Sequence, residues 1–127
     1  MASTSSPSGS TSASAATTSS GTSTSVFLVT SPDNGTSRKI AESILTKKLA
    51  ACVNLVPKIT SMYWWDGKVQ EDTEELLIIK SSDSLTKQLE EEVKALHPYD
   101  TPEFIRLPIT AGSQEYLDWI RQSTNQN

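Results

Sequence analysis

Fifteen consecutive residues, Ala51–Trp65 (ACVNLVPKITSMYWW), are dominated by β-formers, and Asp66-Gly67 then turns the chain into a second run, Lys68–Lys80, that ends in LLIIK. As an extended strand the first run spans roughly 50 Å at about 3.3 Å per residue. A domain of about a hundred residues has a radius of gyration near 13 Å and a diameter of roughly 35 Å. The hairpin must therefore overhang its own domain or bend sharply. Its tip carries Tyr63, Trp64 and Trp65, and an overhanging arm with that much aromatic surface needs a covering partner. Overhang predicts an oligomer joined through the hairpin. A sharp bend at Pro57, which cannot donate to a strand ladder, would instead lay the tip on the domain's own core.

Around this hairpin, strands and helices alternate. Ser25–Thr30 (SVFLVT) reads as a buried strand ended by the turn residues SPDNG. From about Thr36 to Leu49, Ile40, Ala41, Ile44, Leu45 and Leu49 share one helical face, with Lys47 and Lys48 complementing the C-terminal dipole. After the hairpin, Ser82 or Asp83 is placed to cap a second helix whose inner face carries Leu85, Leu89, Val93 and Leu96. That helix should stop at His97, because the residue before Pro98 disfavours helical angles. Phe104–Leu107 reads as a strand, and Ser113 as the cap of a last helix bearing Tyr116, Leu117 and Ile120. The order βαββαβ plus a C-terminal helix is an α+β, ferredoxin-like arrangement.

The N-terminal stretch 1–25 reads differently. Of its 25 residues 17 are Ser or Thr and none is charged or aromatic, so it offers little apolar surface to offset the entropy of ordering and is expected to be a disordered, dispensable tail. The folded domain is expected over 26–127. The tail's Ser-rich composition resembles an organellar transit peptide, but it lacks the usual Arg, and it has no apolar stretch for a secretory signal or a membrane span. The expected location is the cytoplasm, with a plastid or mitochondrion as the alternative if the tail acts as a transit peptide. The net charge of -4 lies wholly in the remaining residues, with Lys and Arg interleaved among Asp and Glu. That pattern provides no cationic track for nucleic acid. A single cysteine, Cys52, forms no internal disulfide and demands no oxidising compartment.

Chemically, the chain is sparse. His97 is its only imidazole, and no G-x-S-x-G elbow or P-loop is present, so an enzyme is not expected. His97, Cys52 and Glu103 are potential metal ligands without a recognised spacing motif. Cys52 also reads as a small buried hydrophobe on a strand, and His97 as a cap for helix carbonyls. Glu103, between Pro102 and the FIRL strand, sits at a strand entrance where a fixed carboxylate could face a ligand.

Taken together, LAACVNLVP (Leu49–Pro57), YWWDGKVQED (Tyr63–Asp72), ELLIIKS (Glu75–Ser81), HPYDTPEFIRLPI (His97–Ile109) and the later YLDWI resemble the CutA divalent-cation-tolerance family from roughly Val26 to Ser123. The resemblance implies a homotrimer, similar to PII signalling proteins, with long hairpins pairing between subunits and Tyr63, Trp64 and Trp65 at the trimer interface. It also implies a role in tolerance of divalent cations, chiefly copper, bound through a cysteine on the first strand and histidines just before a PY dipeptide. His97 matches one such histidine, whereas Val29 and Leu96 occupy two other expected ligand positions. Weak copper binding by His97, joined by Cys52 or Glu103, is therefore expected. Inter-subunit clefts lined by Lys80, His97, Tyr99 and Glu103 should accept a divalent cation or a small anion. The alternatives are a structural or partner-anchoring trimer and a PII-like small-ligand sensor, neither with metal chemistry.

Overall fold

The computed structural model describes residues 23–125, so the expected disorder of the N-terminal stretch lies almost wholly outside the described residues. Four strands form one antiparallel sheet in the order β2-β3-β1-β4, with β1 at Thr24–Ser31, β2 at Cys52–Trp65, β3 at Lys68–Ser82 and β4 at Ile105–Pro108. Among the described residues three α-helices accompany it: α1 (Asn34–Thr46), α2 (Thr86–Leu96) and α3 (Gln114–Gln122). This is the expected α+β order. β1 begins two residues before Val26, with Thr24 and Ser25 buried in the sheet.

One face of the sheet holds the core. Phe27 and Val29 of β1 and Leu77 and Ile79 of β3 pack with Ile40 and Ile44 of α1 and with Leu89 and Val93 of α2. β1 shows the matching alternation, with Val26, Leu28 and Thr30 on the other face. Asp33 starts α1 by accepting the Thr36 N–H at 2.8 Å, which holds its carboxyl below the usual range. α1 ends three residues before the expected Leu49, because Lys48 turns into the left-handed region at φ 58° and lets Leu49 and Ala50 donate back to the Ile44 carbonyl. Leu49 stays buried from outside the helix. Lys47 reaches across to the Glu92 carboxylate of α2 at 2.8 Å.

Two expected details differ. Neither Ser82 nor Asp83 caps α2 with its side chain. The Ser82 hydroxyl pairs with Thr124, and the Asp83 carboxylate takes the Ser25 hydroxyl and the Arg106 guanidinium, so a single 3-10 turn, Asp83–Leu85, leads into the helix. β4 starts one residue late because Phe104 turns inward onto Phe27, with ring centroids 5.5 Å apart. α2 stops at Leu96 with His97 extended before Pro98, and the Ser113 hydroxyl caps α3 by accepting the Tyr116 N–H.

The hairpin overhangs. β3 pairs with β1 only over Glu75–Ser82, whereas its pairing with β2 continues from Ile59↔Glu74 out to Trp65↔Lys68. Each arm strand thus extends seven residues without a third strand, roughly 23 Å at about 3.3 Å per residue. Pro57 marks a bulge, where the register shifts between Val56 and Ile59 and Lys58 adopts φ 58°. Beyond it the arm does not fold back onto the core: Trp64 is 74% and Trp65 67% exposed.

Candidate functional site

Along the arm, the overhanging hairpin and the loop between α2 and β4 line an open groove of about 770 Å³. The arm contributes Tyr63, Trp65, Asp72 and Glu74, and the loop contributes Tyr99, Asp100 and Glu103. Among the described residues no Lys or Arg lines it.

His97 fixes the loop. Its ring is buried, and both nitrogens have partners: Tyr99 N–H donates to Nδ1 at 3.2 Å, and Nε2 lies 2.7 Å from the Thr30 carbonyl. An amide N–H can only donate and a carbonyl can only accept, so the ring is the neutral tautomer with its proton on Nε2. The Tyr99 ring packs against the imidazole with centroids 4.7 Å apart, and its hydroxyl donates to Glu74 Oε2 at 3.0 Å. A continuous set of contacts therefore runs from β1 through His97 and Tyr99 to β3. Burial, followed by the hydrogen bond to Glu74, pushes the Tyr99 hydroxyl up to about 12. Burial and the charge of Glu74 raise the Glu103 carboxyl. Opposite them, Tyr63 donates its hydroxyl to Asp72, an acceptor that raises the phenol's pKa.

Of the residues singled out in the sequence, this groove gathers Tyr63, Trp65, Tyr99 and Glu103, with His97 directly behind Tyr99. Cys52 and Lys80 lie elsewhere. They are register partners, and Lys80 donates to Asn54. Thr30, which holds His97, pairs with Leu76, so four residues of β3, about 13 Å, separate that level from Lys80. Within one chain Cys52 and His97 therefore sit at opposite ends of the sheet. Among the described residues no group of three or more His, Cys, Asp or Glu side chains is arranged to hold a metal ion.

Sequence reasoning singled out neither Glu74 nor Asp72. The signal lay in the overhang: beyond the end of β1, Glu74 faces the loop and Tyr99 covers it. The second face of the sheet was missed too. Val26, Leu28, Leu76 and Ile78 are only half-buried there, and Ile105 and Leu107 are exposed. α3 reaches only the Cys52–Ser82 end, where Thr124 bonds Ser82 and Tyr116 lies by the Cys52 thiol. The runs VFLV and LLII are apolar at consecutive positions, a pattern that asks for cover on both faces.

Comparison with known proteins agrees with this architecture. The family model described as CutA1 divalent ion tolerance protein matches residues 25–123. Over 99 residues the chain is 57% identical to "Protein CutA, chloroplastic" of Arabidopsis thaliana, covering 78% of this chain and 54% of that protein. It is 50% identical to the divalent-cation tolerance protein CutA of Thermus thermophilus, covering 78% and 96%. The chain thus spans about half the length of the plant relative and nearly all of the bacterial one. The crystal structure of CutA1 from Oryza sativa superposes with a TM-score of 0.82 at 51% identity, covering 84% of this chain and 98% of that one. The CutA1 structure from Thermus thermophilus gives a TM-score of 0.79 at 48% identity, covering 80% and 99%. This chain belongs to the CutA1 divalent ion tolerance family.

Proposed function

We propose that the protein works as a homotrimer that binds divalent cations, copper foremost, without catalysing a reaction. The observation that carries the trimer is a half-covered apolar sheet face continuous with a two-stranded arm whose aromatic tip is exposed. An isolated two-stranded ribbon is marginal in water. Packing three copies through Tyr63, Trp64 and Trp65 and through this face covers both.

The metal reading rests on the family and on His97. Copper can use the Nδ1 lone pair only by displacing the Tyr99 N–H, so binding is weak. A site that also uses Cys52 draws the two ligands from neighbouring subunits, because within one chain they lie at opposite ends of the sheet. Lys80, Tyr99 and Glu103 then line clefts between subunits. The carboxylates beside Tyr99 favour a cation there over an anion.

Titrating copper into the trimer while recording heat tests the metal reading. His97→Ala should remove most of the binding and leave the trimer assembled; unchanged binding would make His97 a structural residue and take away the main support of the metal reading. The chloroplastic relatives in Oryza sativa and Arabidopsis thaliana support an organellar location over the cytoplasm. Import of the labelled full chain into isolated chloroplasts or mitochondria checks that.

A further inference from the structure

One face of the arm carries opposite charge at its two ends. Ladder partners share a face and alternate residues repeat it, so Trp65 and Lys68 at the tip lie on the same side as Tyr63, Asp72 and Glu74 toward the base. Lys68 is the one basic residue in 59–74, and six residues of β3, roughly 20 Å at about 3.3 Å per residue, separate it from Glu74. At the base, Glu103 of the loop joins Asp72 and Glu74 along the same groove. None of the ion pairs among the described residues includes Lys68, Asp72, Glu74 or Glu103. The tip is thus aromatic and cationic, the base aromatic and anionic.

Assembly covers this face, and carboxylates taken out of water without a cation are costly. The arm's own tip is too far away to supply one. Another copy can, because a ring of three identical chains closes through a heterologous contact, one patch of each chain against a different patch of the next. A face with unlike ends complements itself in that head-to-tail sense. We propose that the arm tip of one subunit docks on the arm base of the next, with Lys68 of the partner subunit meeting Glu103 and Asp72. Trp65 of the partner subunit then covers Tyr99, which is 40% exposed in a single chain. This rests on the trimer reading and adds to it which end of the arm meets which, and the ion pair that sets the order.

The test is a charge swap, with trimer and single chain measured by sedimentation velocity at the guanidinium concentration that half-dissociates the parent. Lys68→Glu and Glu103→Lys should each raise the dissociation constant about tenfold or more, since each sets like charges against one another across the contact. Both changes in one chain should bring it back near the parent value. Mixing the two single variants should also recover trimer, because the contact lies between chains. Lys87→Glu on α2, the same change of charge away from the arm, should leave the constant unchanged. Losses that add in the double variant, or a Lys87→Glu effect as large as that of Lys68→Glu, overturn the proposal while the parent trimer stands. A parent that sediments as a single chain in buffer removes the trimer reading and this contact with it.

Discussion

The body of the domain and the hairpin arm are made of the same kind of strand, yet they meet water differently. In the body, β1 and β3 bury Phe27, Val29, Leu77 and Ile79 under α1 and α2, and the chain closes this core by itself. Past the bulge at Pro57, β2 and β3 keep their ladder but lose the third strand and the helices, leaving Met62, Trp64, Trp65 and Val69 exposed. The difference separates two sources of stability. The body's should be intrinsic to one chain; the arm's should come from association.

The largest effects probe that division directly. Trp64→Ala or Trp65→Ala should cost about 3–5 kcal/mol where the indole is buried between subunits, and the loss should appear as a lower unfolding temperature that recovers as protein concentration rises. Leu89→Ala, inside the body, should cost about 2–5 kcal/mol through the cavity it leaves. Its unfolding shift should hold at every concentration. Equal behaviour of the tip and core variants would erase the distinction.

A smaller effect sits at the junction. Lys58 holds φ 58° where the register shifts, a conformation costing a residue with a side chain about 1–2 kcal/mol. Lys58→Gly should therefore stabilise the protein slightly, by up to about 1 kcal/mol after glycine's own entropy, as read by denaturant unfolding. A loss of stability would mean that the Lys58 side chain contributes contacts of its own.

The smallest effect belongs to the body alone. The Lys47 ammonium, then the Ser43 hydroxyl, hold the Glu92 carboxyl below its usual value of 4.5. A depressed carboxylate stabilises the fold above its unfolded pKa, and that stabilisation is lost as pH falls from about 4.5 through the lower folded value. For a half-exposed lysine partner it is worth less than about 1 kcal/mol. Glu92→Gln should flatten the acid side of the stability curve at fixed protein concentration. An unchanged curve would show that other carboxylates dominate there.

Much of this contrast was legible in the sequence. The length of Ala51–Trp65 against the size of the domain required an overhang or a bend, and Pro57 marked where the ladder would break. Helical periodicity located α1 and α2, and His97-Pro98 stopped α2 within a residue. The sequence could not say that Ser82 and Asp83 would be taken by Thr124, Ser25 and Arg106, since those partners come from distant segments. The groove was harder still. Tyr99 and Glu103 were legible because they flank the His97 turn, but Glu74 acquires its burial only when that loop folds over the arm. Pairing Cys52 with His97 was natural from residue type alone, and the strand register separates them within the chain.

The central claim, that the arm and the open sheet face are completed by other copies of the chain, is tested most directly by analytical ultracentrifugation of the purified protein, alone and as a version starting at Ser23. The account expects three times the subunit mass for both, 13.8 kDa being the mass of one full-length chain. A single-chain mass with native circular dichroism would contradict it.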